Sequence, residues 1–214
     1  MDLNHEFVEA LKSEGCQAVG FADLSILPAE PRNNLPVGII MATAYTPPSV
    51  WNILNEAQHK AITDNEANGD PLERFRKRAK DFLRERKYKR CTTYPTMQIT
   101  YKMLATLAGV GWIGRNALLV SHALGSAVRF TAVLTDAPFE CGVPITASQC
   151  PPNCRLCMDA CPGNAIKGEP LWTRDIHRDA FFDVEACKKH RSGCGGACVG
   201  CCPFTMKGLS LRHN

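Results

Sequence analysis

The sequence has 214 residues, 45% hydrophobic and 21% charged, which is typical of a globular protein with one or two domains. Its formal net charge of +4 is too small to require a nucleic-acid partner. No apolar run approaches the roughly 18 residues of a membrane span, and the acidic N-terminus lacks the apolar segment of a signal peptide. We therefore expect a cytoplasmic protein without a membrane partner.

The part of the chain before residue 147 carries alternating helix and strand patterns. Apolar residues recur at helical spacing over residues 5–15, 71–88 and 97–109. Strand patterns cover residues 18–24, 37–45, 117–121 and 127–136, the last two on either side of a short turn. Gly15 stands where the first helix would end. Such alternation predicts an α+β architecture.

A strongly basic segment lies within the second predicted helix. Residues 73–90 contain ten Lys or Arg and three Asp or Glu, a local excess of +7. A solvated helix face is the expected explanation. An anionic partner, such as tRNA or an acidic electron donor, is the alternative.

The stretch AGVGWIGRN (residues 108–116) contains Gly109, Gly111 and Gly114 at the spacing G-x-G-x-x-G of a dinucleotide-binding turn. That turn requires a strand before the first glycine and a helix after the last. Here a helical pattern precedes the glycines and strand patterns follow them. We therefore predict that Gly109 ends a helix and that the other two glycines permit a tight connection to a strand.

Cysteine is the unusual component of the sequence. Nine of the twelve cysteines lie between residues 150 and 202, so we place a domain boundary there, with domains at residues 1–146 and 147–214. Because thiols stay reduced in the cytoplasm, this density indicates metal ligation and not disulfides.

The cysteines fall into two motifs that each end in Cys-Pro. The first motif, CPPNCRLCMDACP (residues 150–162), differs from the ferredoxin run C-x2-C-x2-C-x3-C-P by one residue in its first gap. The second motif, CGGACVGCCP (residues 194–203), also ends in C-x3-C-P and has Cys201 inserted, while Cys187 stands alone between the motifs.

Paired motifs of this kind exchange their last cysteine, so that each pre-proline thiolate binds the other cluster. We therefore predict two [4Fe–4S] clusters. Set A comprises Cys150, Cys154, Cys157 and Cys202, and set B comprises Cys161, Cys187, Cys194 and Cys198. Cys201 is the spare thiol, with replacement of Cys194 as its alternative role. Two structural zinc sites are a competing interpretation, but zinc does not call for the repeated C-x3-C-P ending.

The sequence resembles the epoxyqueuosine reductase family. The resemblance is carried by EGCQAVGFADLS near the N-terminus, by AGVGWIGRN, which looks like the family's AGLGWIGKN, and by the two cysteine motifs. It implies a nitroreductase-like domain that holds a cobalamin, followed by a small ferredoxin-like domain with two [4Fe–4S] clusters. Residues 91–100 depart from the family because they contain no acid where its catalytic Asp is expected.

The predicted function is that of an iron–sulfur oxidoreductase. Electrons from a ferredoxin-like or flavodoxin-like donor would pass through two clusters to a small substrate or a cofactor, for which cobalamin is the candidate. Trp112, Arg115 and Asn116 are the candidates for lining the acceptor pocket, and a scaffold role is their alternative. An electron-transfer protein with no substrate of its own and a zinc-stabilised binding module are the competing functions.

Overall fold

A computed structural model describes residues 2–52, 54, 56–67, 69–93 and 99–210. The chain forms two compact units, each discontinuous in sequence. The sheet unit comprises Met1–Ala44, Ala61–Val110 and Arg129–Pro144, and the cysteine unit comprises Tyr45–Lys60, Gly111–Val128 and Ile145–Asn214. The last segment of the cysteine unit begins close to the predicted boundary. The division into domains at residues 1–146 and 147–214 stays a prediction.

Helices and strands alternate along the chain, as the α+β prediction requires. The described helices are α1 (Leu3–Lys12), α2 (Pro48–Trp51), α3 (Glu56–Ala67), α4 (Pro71–Glu85), α5 (Tyr101–Leu107), α6 (Leu156–Asp159), α7 (Val184–His190), α8 (Ala197–Gly200) and α9 (Pro203–Ser210), with a 3-10 helix at Arg178–Ala180. The described strands are β1 (Ala18–Asp23), β2 (Val37–Ala44), β3 (Arg90–Thr93), β4 (Gly111–Ile113), β5 (Leu119–Ser121) and β6 (Val128–Thr135). None of these helices has the length and apolar character needed to cross a membrane.

The sheet unit is built on a four-stranded sheet with the order β1-β2-β6-β3. β1 pairs with β2 in antiparallel register, with Ala18 opposite Ala42, and β3 pairs with β6 in the same sense. All eight residues of β2 are buried, which fits a sequence that is apolar except for Thr43 and does not alternate.

Helices α1 and α4 pack their apolar faces into the core of the sheet unit. Phe7 of α1 meets Phe82 of α4 edge to face at 5.0 Å between ring centroids, and it meets Phe139 at 5.1 Å. Phe75 and Leu83 of α4 are also buried, while its charged residues lie on the opposite side. Most charged residues of the basic segment therefore lie on a solvated helix face, as predicted.

The predicted helix ends at glycine are confirmed. Gly15 has φ of +86° three residues after α1, and its N–H donates to the carbonyl oxygen of Lys12 at 2.9 Å. Gly109 has φ of +69° after α5, and the N–H of Val110 donates back to Ala105 at 2.9 Å. Both glycines adopt the left-handed conformation that terminates a helix. Helix α5 begins at Tyr101 because the side chain of Thr100 caps it, whereas residues 97 and 98 of the prediction lie outside the described residues.

The two strands predicted on either side of a turn belong to different sheets. β5 pairs with β4, with Gly111 opposite Ser121, whereas β6 joins the four-stranded sheet. Strand β4 was not predicted, because three residues between two glycines are too short to show a period. The strand that follows Gly114 confirms that this glycine stretch is not a dinucleotide-binding turn.

Candidate metal centre

The cysteine motifs form short helices joined by turns in the cysteine unit. Cys157 lies in α6, Cys187 in α7 and Cys198 in α8, whereas Cys202 directly precedes Pro203 of α9. Helix α8 begins after Gly196, whose φ of +78° requires glycine. Short helices with tight turns therefore bring thiols that are far apart in sequence to neighbouring positions.

All four cysteines of set A line one pocket. The pocket has a volume of about 350 Å³, part of it open to solvent, and Leu156, Val120 and Phe204 contribute apolar walls. Cys202 of the second motif thus lies beside three cysteines of the first motif, which are 45 to 52 residues earlier in the chain. This placement is what the predicted exchange of the pre-proline cysteine requires, and the exchange itself stays a prediction.

The cysteines of set B influence one another electrostatically. Burial raises the pKa of the Cys198 thiol to about 12, and Cys194, Cys161 and Cys187 are among the thiols whose charge adds to the rise. The N–H of Ala165 donates to the sulfur of Cys161 at 3.4 Å. Hydrogen bonds of this kind to a ligand sulfur raise the potential of a bound cluster.

Cys201 lies between the two sets. Burial raises its pKa to about 11, and Cys202 and Cys154 add to the rise. It also contributes to the raised pKa of Cys157 in set A and of Cys198 in set B. The assignment of Cys201 as the spare thiol, and of sets A and B as ligands, stays a prediction.

The chemistry of the thiols fits a metal cluster. Burial raises the pKa of Cys157 to about 12, and repulsion from nearby thiolates raises it further, so the free thiol stays protonated at neutral pH. A bound cation reverses this preference because it stabilises the thiolate. No three Cys, His, Asp or Glu side chains in the described residues converge as ligands of a single metal ion. In a [4Fe–4S] cluster, each thiolate binds a different iron and the ligands surround the cluster.

Arg115 is buried beside the pocket of set A, which it helps to line. Its side chain is 4% exposed and donates to the carbonyl oxygen of Pro152 at 2.5 Å, to the carboxylate of Glu169 at 3.0 Å and to the carbonyl oxygen of Gly168. Its Nε–H has no hydrogen-bond partner in the part of the chain that the structure describes. These contacts connect the loop between Cys150 and Cys154 to residues 168–169.

Asn116 and Trp112 are also buried within the cysteine unit. Asn116 lines the pocket of set A, donates to the carbonyl oxygen of Cys198 at 3.1 Å and accepts from the N–H of Leu118 at 3.2 Å. Trp112 is 1% exposed and meets Phe204 edge to face at 4.8 Å. The contacts support the scaffold role considered for these residues. Their assignment to an acceptor pocket stays a prediction.

Gly114 permits the close packing of this site. A Cβ atom at Gly114 would lie 2.8 Å from Val120, 2.9 Å from the Asn116 side chain and 3.6 Å from the Cys150 sulfur. Only glycine fits there without displacing its neighbours. The last glycine of the G-x-G-x-x-G spacing therefore serves the cysteine pocket in this structure.

Sequence reasoning missed Ser49. The N–H of Ser49 donates to the carbonyl oxygen of Gly195 at 3.0 Å, and its hydroxyl donates to the carbonyl oxygen of Gly196 at 2.7 Å. A Cβ at Gly200 would lie 2.4 Å from the Ser49 carbonyl oxygen. Residues 47–49 thus hold the turn between Cys194 and Cys198. No motif marks this segment, because the contact depends on residues that are 147 positions apart.

We expect Ser49→Ala to destabilise the cysteine unit by about 1 kcal/mol, since it removes one part-buried hydrogen bond. The unfolding midpoint should fall, and any bound iron should be lost to a chelator faster than from the wild type. Ser13→Ala is the matched control, because that hydroxyl donates to the Ala10 carbonyl oxygen at an exposed site of the sheet unit. Iron loss at the wild-type rate in Ser49→Ala would contradict a role for this contact in holding set B.

Comparison with curated proteins finds epoxyqueuosine reductases. The chain is 36% identical over 74 residues to the Listeria monocytogenes enzyme, a match that covers 35% of this chain and 19% of that protein. It is 33% identical over 124 residues to the Gloeobacter violaceus enzyme, covering 52% of this chain and 38% of that protein. The matched residues thus cover well under half the length of either relative. No family model matches the chain.

Comparison with solved structures finds the same fold in two kinds of protein. Epoxyqueuosine reductase from Streptococcus thermophilus aligns with a TM-score of 0.61 at 20% identity, over 96% of this chain and 66% of that one. The catabolic reductive dehalogenase NpRdhA, in complex with 3-bromo-4-hydroxybenzoic acid, aligns with a TM-score of 0.64 at 18% identity, over 96% of this chain and 32% of that one. At these identities the likeness establishes the fold alone, and it confirms the α+β fold class. With the sequence matches, it confirms the predicted resemblance of this chain to the epoxyqueuosine reductase-like proteins.

Proposed function

We propose that this protein is an iron–sulfur oxidoreductase that carries two [4Fe–4S] clusters, one on set A and one on set B. The clusters pass single electrons from a donor protein to a small substrate or a cofactor associated with the sheet unit. In this proposal the sheet unit is the nitroreductase-like domain and the cysteine unit is the ferredoxin-like domain. The sequence relatives and the shared fold support an oxidoreductase at the level of the family.

The observation that carries the proposal is the pocket lined by Cys150, Cys154, Cys157 and Cys202. A cluster needs one thiolate for each of four irons, and the pocket supplies four cysteines from two separate motifs. Two structural zinc sites would also accept thiolates from both motifs, but zinc does not call for the C-x3-C-P ending that both motifs share.

The residues around the thiols have definite tasks in this proposal. The N–H of Ala165 donates to Cys161, and we expect the glycines of the second motif to leave further backbone N–H groups open to the sulfurs. Lys188, Lys189 and Arg191 are exposed in and just after α7, which carries Cys187. Their positive charge offsets the negative charge of thiolate-bound clusters, and it favours the approach of an acidic ferredoxin-like or flavodoxin-like donor.

The fold neighbours suggest cobalamin as the acceptor, since one of them is a reductive dehalogenase for which a mechanism of B12-dependent dehalogenation is suggested. Trp112, Arg115 and Asn116 do not present a surface for a corrin, because each is at most 5% exposed and is packed or hydrogen-bonded within the cysteine unit. No step of the proposed function is therefore assigned to these residues through cobalamin. Binding of a corrin is a separate expectation with its own measurement.

The substrate we propose is a small organic molecule and not epoxyqueuosine. Opening an epoxide requires a proton donor when the oxygen leaves, and residues 91–100 contain no acidic side chain. Residues 94–98 of this stretch lie outside the described residues. A solved epoxyqueuosine reductase was crystallised with a tRNA stem loop. For this chain, the mild net charge favours a substrate that is not a nucleic acid.

The test is anaerobic purification followed by measurement of iron, acid-labile sulfide, zinc and corrin on one sample. We expect about eight iron and eight sulfide per chain, as two [4Fe–4S] clusters require. Uptake of added cobalamin with a shift in its absorption spectrum would support the cobalamin-linked reductase. If the protein contains iron and sulfide but takes up no corrin, it is either an electron carrier or a reductase that passes electrons to a different acceptor. Zinc as the sole metal of an anaerobic preparation would overturn the redox function.

A further inference from the structure

Arg115 combines three properties that are unusual for one side chain. It is buried, it lines the pocket of set A, and its Nε–H has no hydrogen-bond partner among the described residues. A buried donor without a partner costs about 1–3 kcal/mol, so its retention needs an explanation. The other guanidinium nitrogens are satisfied by Gly168, Glu169 and the carbonyl oxygens of residues 151 and 152.

The charge of Arg115 is only partly compensated. Glu169 contacts it at 3.0 Å, but the Glu169 side chain is 71% exposed, so water screens the carboxylate. The guanidinium itself is 4% exposed, and its positive charge acts in a medium of lower dielectric constant. A cation in this position stabilises whichever state of a neighbouring group carries more negative charge.

A cluster gains one negative charge when it is reduced, and charge and hydrogen bonding near its sulfurs set its potential. We propose that Arg115 raises the reduction potential of the cluster held by set A, and that Glu169 limits this effect. The proposal rests on the two-cluster function. In this proposal Arg115 acts through its charge, and its Nε–H, which lacks a partner among the described residues, is the guanidinium donor left for an acceptor on the cluster.

The test compares three variants of the full chain, prepared without oxygen and titrated with a reductant while the EPR signal of each cluster is recorded. Arg115→Gln should lower the reduction potential of one cluster by about 59 mV, which for one electron is a tenfold change in the ratio of reduced to oxidised cluster. The ratio is compared at the same solution potential. Glu169→Gln should shift the same cluster in the opposite direction by a smaller amount, because the carboxylate is screened. The potential of the other cluster should move by less than half as much in both variants.

Arg155→Gln is the matched control. Arg155 adjoins Cys154, but its side chain is 66% exposed, so its removal should shift the potential much less than Arg115→Gln. A purely structural role for Arg115 would lower the unfolding midpoint or the iron content and leave the potentials unchanged. The opposite signs expected for Arg115→Gln and Glu169→Gln do not arise from loss of packing.

The outcomes separate this proposal from the proposed function. Wild-type protein without iron–sulfur clusters would overturn both. Clusters whose potentials are the same in the wild type, Arg115→Gln and Glu169→Gln would overturn the role of Arg115 alone. If Arg115→Gln does not retain iron, Glu169→Gln decides the question: an upward shift of one cluster supports the proposal, and no shift or a downward shift contradicts it.

Discussion

Replacement of Cys157 by alanine is expected to halve the iron content, from about eight to about four per chain, since a [4Fe–4S] cluster needs all four thiolates. Cys157 lines the pocket of set A from helix α6. Loss of the cluster also removes cross-links between the two motifs, so the cysteine unit should unfold at a lower temperature. Iron and sulfide analysis with thermal unfolding checks both effects.

Cys141→Ala is the control for this experiment. Cys141 lies in the sheet unit, is half-buried and belongs to neither motif, so its replacement should leave the iron content unchanged. A folded Cys157→Ala variant that keeps all its iron would remove Cys157 from the ligand set. If Cys141→Ala also loses iron, the iron loss in Cys157→Ala reflects general damage to the protein and not the loss of a ligand.

The second large effect concerns which cysteines share a cluster. Cys202→Ala should remove the same cluster as Cys157→Ala, although the two residues belong to different motifs, and Cys161→Ala should remove the other cluster. The EPR spectrum of the reduced protein distinguishes these cases, because each variant retains one cluster with its own signal. We therefore expect matching spectra for Cys157→Ala and Cys202→Ala, and a different spectrum for Cys161→Ala.

Two further variants complete the comparison. Cys201→Ala should retain both clusters, whereas Cys194→Ala should lose the cluster of set B. The reverse pattern would make Cys201 a ligand in place of Cys194. If Cys202→Ala instead matches Cys161→Ala, each motif binds its own metal site, and the exchange of pre-proline cysteines is wrong.

Much of the local structure follows from short-range sequence signals. The apolar spacing in residues 71–88 predicted α4, and the positive φ at Gly15 and Gly109 fits their predicted positions after helices. These features depend on a few neighbouring residues, so periodicity and glycine placement are sufficient to predict them. The Cys-Pro endings of the motifs likewise predicted that Cys202 would stand with the cysteines of the first motif.

Tertiary structure alone decided the rest. Whether strand β5 pairs with β4 or with β6 depends on partners chosen across the chain, and residues 117–136 show the same strand character in either case. The contact of Ser49 with the turn at Gly195 and Gly196 joins segments with no shared pattern. The burial of Arg115 and its unpartnered Nε–H depend on how residues 151–152 and 168–169 fold around it. The sequence by itself determined the candidate cluster ligands, because thiolate chemistry and motif spacing are local. The surroundings of those thiols come from long-range packing, which no local pattern encodes.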